Sequence, residues 1–168
     1  MADHHIVIRH ITPADFQAKA EVHSQTWCET YQGKLPQWLV DKITPEFALE
    51  VTKRHDPANV FVALMDDEMV GYAELVNPAR EPSYYPDTAE LAAIYVLKRC
   101  QGCGIGRKLA QAVFDALPTK RVVLWVLESN EKAQGFYRHI GFHPTGQVQV
   151  EDNGAMKDLE YANFDTSA

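Results

Sequence analysis

Glu90-Leu-Ala-Ala-Ile-Tyr-Val-Leu-Lys-Arg-Cys-Gln-Gly-Cys-Gly-Ile-Gly106 reads as a buried strand running directly into a glycine-rich turn that opens a helix at about Gly102. Glycines at alternate positions let successive backbone N–H groups face one point, and the positive end of a helix dipole lies at the same place. That combination holds an anion without a dedicated side chain. Gly102, Gly104 and Gly106 space as G-x-G-x-G, so the dinucleotide fingerprint fails at Arg107, where its last glycine would fall. No Gly-Lys-Ser/Thr follows, which excludes the P-loop. Lys98, Arg99, Arg107 and Lys108 bracket the turn in an otherwise acidic chain and favour an anionic ligand over a solvated patch.

Within the strand, a period of two puts Glu90, Ala92, Ile94 and Val96 on one face and Leu91, Ala93, Tyr95 and Leu97 on the other. A carboxylate at the head of a buried strand is either exposed by the strand's end or held there for chemistry. Ile94 lies about 13 Å farther along, a distance that suits a relay through one or two waters better than direct contact. Downstream, residues 105–117 are amphipathic and end at Pro118, and residues 121–127 form a second buried strand. Strand, turn, helix and strand make one right-handed crossover with the two strands parallel.

Upstream, residues 77–88 carry Pro78, Pro82 and Pro86 around Ser83-Tyr84-Tyr85 and cannot form a helix or a central strand. Loops of this length in compact domains are disproportionately functional, so Tyr84 and Tyr85 either border a binding site or anchor the surface. Residues 60–65 and 69–76 form a hairpin across Asp66-Asp67-Glu68, with Glu74 expected on a solvated face. Residues 6–11 give a first strand. Thr12-Pro13 then opens a helix carrying Phe16, Ala20, Val22, His23 and Trp27 at helical spacing, followed by two short helices at 36–40 and 45–54. Trp27 reads as a core aromatic; Tyr31, at the helix exit, serves equally well as packing or as the lining of a cleft.

The second informative stretch is Asn130-Glu-Lys-Ala133-Gln-Gly-Phe136-Tyr137-Arg-His-Ile-Gly141-Phe142, a helix capped by Ser129 or Asn130 and stopped by Gly141. Asn153-Gly154 then marks a closing hairpin between residues 147–151 and 156–164. Taken together, Gln101-x-x-Gly104-x-Gly106 and N-x-x-A-x-x-F-Y-x-x-x-G-F, in that order, resemble the two diagnostic motifs of the GNAT family of N-acetyltransferases. The clear match covers Glu90 to Phe142. The proline common after the Tyr-Val pair is absent, with Lys98-Arg99 following Leu97 instead.

That resemblance implies an α/β (α+β) acyl-CoA N-acyltransferase fold, with a mixed, mostly antiparallel sheet of about seven strands, two of them parallel and splayed, and helices on both faces. It implies acetyl-CoA (coenzyme A) as acyl donor. The backbone of Ile94, Tyr95 and Val96 would bond the pantetheine, and Gln101, Gly102, Cys103, Gly104, Ile105, Gly106 and Arg107 the pyrophosphate. Asn130, Ala133, Phe136 and Tyr137 would contact the donor from the next helix. Tyr137 would protonate the departing thiolate and Glu90 would act as general base. Trp27, Tyr31, Tyr84, Tyr85 and Glu90 would border the acceptor. The acceptor expected is a primary amine of a small molecule, polyamine-like; alternatives are a protein N-terminus or lysine, or a non-catalytic acyl-CoA-binding regulatory role. The resemblance, though nothing in the sequence itself, also allows a homodimer.

Composition narrows the remaining classes. A chain of 168 residues with 46% apolar and 23% charged residues is expected to fold as one domain over residues 1–168. A formal charge of −7 argues against nucleic-acid and anionic-membrane partners and suits a cationic substrate. Cys28, Cys100 and Cys103 make no disulfide framework, and no apolar run approaches a membrane helix or signal peptide, so a reduced, cytoplasmic protein is expected. Cys100-Gln-Gly-Cys103, lying inside a phosphate-type turn without a second pair, is read as coincidence, and no metal is expected.

Overall fold

Residues 3–167 are described by the computed structural model. Alternating branched and aromatic residues place β1 (Ile6–His10), β2 (Val60–Met65) and β3 (Glu68–Val76) side by side and antiparallel. The β2–β3 turn is tight because Asp66 and Asp67 both accept positive φ, 52° and 68°, as a hairpin of matching twist requires. β4 (Thr88–Val96) pairs antiparallel with β3. The chain then crosses through α4 (Ile105–Ala116) to β5 (Arg121–Leu127), which lies parallel to β4. After α5 (Glu131–His139), β6 (His143–Glu151) and β7 (Met156–Ala162) close the sheet, giving the order β1-β2-β3-β4-β5-β7-β6. The mixed seven-stranded sheet with one parallel pair agrees with the expected architecture.

Of the N-terminal helices, α1 (Phe16–Tyr31) packs on the face that carries Tyr72, Glu74 and Tyr95, followed by α2 (Gln37–Val40) and α3 (Pro45–Arg54). α4 covers the other face, where Leu109 meets Val96 below Gly71. Leu109 and Val113 are completely buried there, each contributing about 1.5–3 kcal/mol by removal from water.

Two irregularities create the site. β4 and β5 pair only through Thr88↔Arg121, Ala89↔Val122 and Glu90↔Val123; beyond that they part. The other edge of β5 is paired with β7 from Val123 to Leu127. On the open side, Ala92 to Val96 are half-buried although they lie in the middle of a sheet. The second irregularity is a bulge. Glu74 opposes Ala93 while Leu75 opposes Leu91, so Ala92 is an extra, unpaired residue.

The bulge overturns the simple alternation expected for β4. Glu90 shares its face with Ala93 and Tyr95, the side packed by α1, whereas Leu91, Ile94 and Val96 face α4. Sequence periodicity assumes one residue per pleat, and a bulge inverts the parity of everything beyond it. Glu74 also departs from expectation. It is only 7% exposed and bonds Lys19 Nζ at 2.7 Å and His55 Nδ1 at 2.8 Å. Lys19 lies 55 residues earlier, so no local pattern reveals the pair that makes burial of this charge tolerable.

Candidate active site

One half of the candidate site, the one expected to hold the acyl donor, is made of backbone. Gly104 takes φ 80°, ψ 6° as the residue preceding α4, a left-handed conformation that a side chain resists. With Gly102 also at positive φ, the N–H groups of Gly102, Cys103, Gly104, Ile105, Gly106 and Arg107 have no protein acceptor among the described residues. The first turn of α4 closes only at Lys108 N–H, which donates to Gly104 O at 3.1 Å. The N–H of Gln101, by contrast, donates to Lys98 O, so the free run starts one residue later than the motif suggests. Gly106 is small for a different reason. A Cβ there would stand 3.3 Å from the Phe136 ring, which packs α5 onto the start of α4.

The gap between β4 and β5 continues this surface. Leu97 N–H donates to Val70 O on the β3 side, so strand alternation turns the N–H and C=O of Ile94 and Val96 toward the gap. The Tyr95 backbone faces β3 instead, and its side chain reaches the α1 face. Gln101 Nε2 donates to the gap-facing Val96 carbonyl at 3.0 Å, while Lys132 Nζ donates to Gln101 Oε1. Of the flanking cations, Arg99 pairs with Glu68 and Arg107 contacts His139; Lys98 and Lys108 have no ion-pair partner among the described residues.

α5 supplies the remaining donor-side groups. Asn130 caps it by accepting from Ala133 N–H at 3.2 Å. Tyr137 lies between the Phe136 and Phe142 rings, at centroid distances of 5.6 and 6.3 Å. Its hydroxyl bonds no described residue, and burial, with a smaller contribution from Tyr95, pushes its pKa well above the ordinary tyrosine value. Cys100 is buried and Cys103 exposed; both are free thiols. Among the described residues no group of three or more His, Cys, Asp or Glu could hold a metal ion, and no helix is long and apolar enough to cross a membrane.

The other half of the candidate site, the one expected to border the acceptor, lies on the α1 face and is made of side chains. The Tyr31 and Tyr95 hydroxyls bond each other at 2.8 Å. Burial raises the Tyr95 pKa strongly, and it raises that of Tyr31 despite their bond. The Trp27 ring lies 4.5 Å from that of Tyr31, tilted by 59°, and donates from Nε1 to Leu39 O, within an apolar cluster that includes Leu35, Leu127 and Met156. Glu90, 3% exposed, accepts from Arg80 three times: Oε1 from the backbone N and from Nε at 3.1 Å each, and Oε2 from Nη2 at 2.6 Å. Tyr85 donates to Glu160 Oε1 at 2.7 Å; Tyr84, 75% exposed, stands in solvent.

Several side chains escaped the sequence reading. Arg80 occupies Glu90. Glu160, 1% exposed, gathers the hydroxyls of Ser83, Tyr85 and Thr145. Glu74, between Lys19 and His55, is held to a pKa of about 2: burial acts upward, but the hydrogen bonds and charges of His55 and Lys19 outweigh it. Beside the bulge, a pocket of about 180 Å³ is lined by His55, Glu74, Arg80 and Ala92. Asp158 stands two residues from Glu160 on the same face of β7. A signal for these last two was present: Lys-Asp-Leu-Glu-Tyr-Ala puts two carboxylates on one face of an otherwise apolar strand.

The sequence model of the Acetyltransferase (GNAT) family matches residues 20–142. Rv2775 of Mycobacterium tuberculosis, named a probable N-acetyltransferase, is 28% identical over 153 residues, covering 88% of this chain and 86% of its own. The N-alpha-acetyltransferase RimI of the same organism is 32% identical over 142 residues, covering 84% and 80% respectively. The crystal structure of PaiA N-acetyltransferase from Thermoplasma acidophilum in complex with coenzyme A aligns with a TM-score of 0.67 at 24% identity, over 93% of this chain and 98% of that one.

Proposed function

Since the chain belongs to the GNAT family of N-acetyltransferases, with acetyl-CoA as its acyl donor, we propose that it acetylates a primary amine of a small cationic molecule by direct attack in a ternary complex. The observation that carries this reading is the row of carboxylates from Glu90 at the closed end of the β4–β5 gap through Glu160 to Asp158 at its open end, in which Arg80 neutralises Glu90 while Asp158 has no ion-pair partner among the described residues. An ammonium ion is the ligand such a surface favours.

The residues fit the donor. Six consecutive free N–H groups with two left-handed glycines suit a diphosphate, and the gap-facing Ile94 N–H and C=O and Val96 N–H, which pair with no strand, suit an amide-bearing arm. Acetyl-CoA supplies a thioester already activated toward amines. The Ile94 N–H, aimed into the gap, stabilises the oxyanion that develops on the thioester carbonyl. Tyr137 keeps its proton at neutral pH and presents it to the departing sulfur. The acceptor amine, with a pKa of about 10, must lose a proton before it attacks. Glu90 serves as base only by releasing Arg80, which engages both of its oxygens.

RimI, an N-alpha-acetyltransferase at 32% identity, favours a peptide N-terminus as the second reading. A coenzyme A release assay with spermidine, single amino acids and short peptides side by side separates the two. Turnover on small amines is expected; turnover confined to peptides would replace that reading with the second.

A further inference from the structure

Asp158 is unlike every other carboxylate of the acceptor face. Glu74 has Lys19 and His55, Glu90 has Arg80, and Glu160 has three hydroxyls. Asp158 is half-buried and has neither an ion pair nor a hydrogen bond from any described residue. Its place in the fold is specific. On β7 it pairs across with Leu127, the last residue of β5 at the open end of the gap, and across the other edge with Gln149 of β6. Leu127 and Met156, its neighbours on that face, pack in the same cluster as Tyr31 and Tyr95. The charge of Asp158 is felt at both of those hydroxyls.

We propose that Asp158 is the carboxylate that receives the ammonium group of the acceptor and removes its proton. This rests on the amine-acceptor reading above. An unpaired carboxylate in a half-buried apolar setting lacks a counter-ion, and an alkylammonium supplies one. Burial, and secondarily Glu151, raise the Asp158 pKa to about 6. A base near this value is matched to work at neutral pH, where a free aspartate would be too weak. Among the described residues, the groups facing it are Tyr31 from α1, Tyr95 from β4, and Gln149 and Glu151 from β6; none of these is a cation. Lys157 points to the opposite face and pairs with Glu128.

The step balances. The ammonium gives one proton to the Asp158 carboxylate, and the free nitrogen pair forms the new C–N bond as the C–S bond breaks. Sulfur takes the Tyr137 proton, the nitrogen loses its second proton as the amide forms, and that proton restores Tyr137. Asp158 returns its own proton to solvent, so one proton is released per turnover.

Asp158→Asn tests this with whichever acceptor the wild-type enzyme turns over, small amine or peptide, so a failure of the small-molecule reading does not disturb it. At pH 7.5 kcat/KM for the acceptor should fall about 100-fold, the scale of a lost general base. Acetyl-CoA affinity should be unchanged, and the deficit should shrink toward pH 10 as the amine deprotonates unaided. A deficit below about threefold, or one of equal size at every pH, would overturn the proposal. A second readout needs no turnover. The carboxyl carbon of Asp158, followed by NMR, should titrate near 6 and shift downward when butylamine, spermidine or a lysine peptide is added. A midpoint that none of the three amines moves contradicts the assignment.

Discussion

The two halves of the proposed active site are built in opposite ways. The donor half is a contiguous run of main chain, Ile94 to Arg107, whose free N–H and C=O groups exist because two strands part and two glycines turn left-handed. The acceptor half is assembled from Lys19, Tyr31, His55, Glu74, Arg80, Tyr95, Asp158 and Glu160, drawn from segments across the whole chain. A backbone site tolerates changes of side chain but not of conformation. A side-chain site answers to each charge and its partner.

The largest departure should come from the charged half. Replacing Lys19 by methionine leaves Glu74 with His55 alone, and breaking a buried pair in this way costs about 3–5 kcal/mol. Urea unfolding at pH 7 should show that loss. Because the folded pKa of Glu74 is about 2, below its ordinary 4.5, its stabilisation is complete above pH 4.5 and fades as pH falls toward 2. The variant should therefore lose less additional stability over that acid range than the wild type does. An unchanged acid profile would detach Glu74 from Lys19.

In the donor half, Gly104→Val forces a branched side chain into φ 80° and disperses the converging amides. Calorimetric titration should give an acetyl-CoA Kd raised about 100-fold, roughly 2.7 kcal/mol, with little loss of fold. Tyr137→Phe sharpens the division between binding and chemistry. Turnover should fall about tenfold to 100-fold while acetyl-CoA affinity stays within twofold, and equal losses in both would remove Tyr137 from proton transfer.

The last effect has the opposite sign. The folded pKa of Asp158, about 6, lies above the ordinary 3.8, so its ionisation opposes folding as pH rises through that interval. Asp158→Asn should raise the thermal midpoint at pH 7.5, with the gain disappearing by pH 4. A variant that is less active yet more stable separates a functional carboxylate from a structural one.

This contrast also explains what was legible in the sequence. The glycine turn, the crossover and the capped helix at Asn130 are local, and local spacing was sufficient to read them. The free amide run differed by one residue, because Gln101 N–H is satisfied by Lys98 O. Simple alternation gives the wrong face for Glu90 relative to Ile94 and Val96, because the bulge at Ala92 reverses strand parity without a glycine or proline to mark it. Neither Glu74 nor Arg80 is legible from local sequence, because each owes its role to a partner in another segment. Two carboxylates alternating in β7 were visible, but only the sheet order, with β7 beside β5, brings them to the gap.

The central claim is that the amides of Gly102 to Arg107 hold the donor's diphosphate and those of Ile94 and Val96 its pantetheine arm. A ¹⁵N–¹H NMR titration of the labelled protein with acetyl-CoA tests it amide by amide. The account predicts the largest shifts at residues 102–107, smaller ones at 94 and 96, and the same pattern at 102–107 with an acyl-free coenzyme A. Unmoved amides through that turn, with shifts concentrated elsewhere, would contradict it.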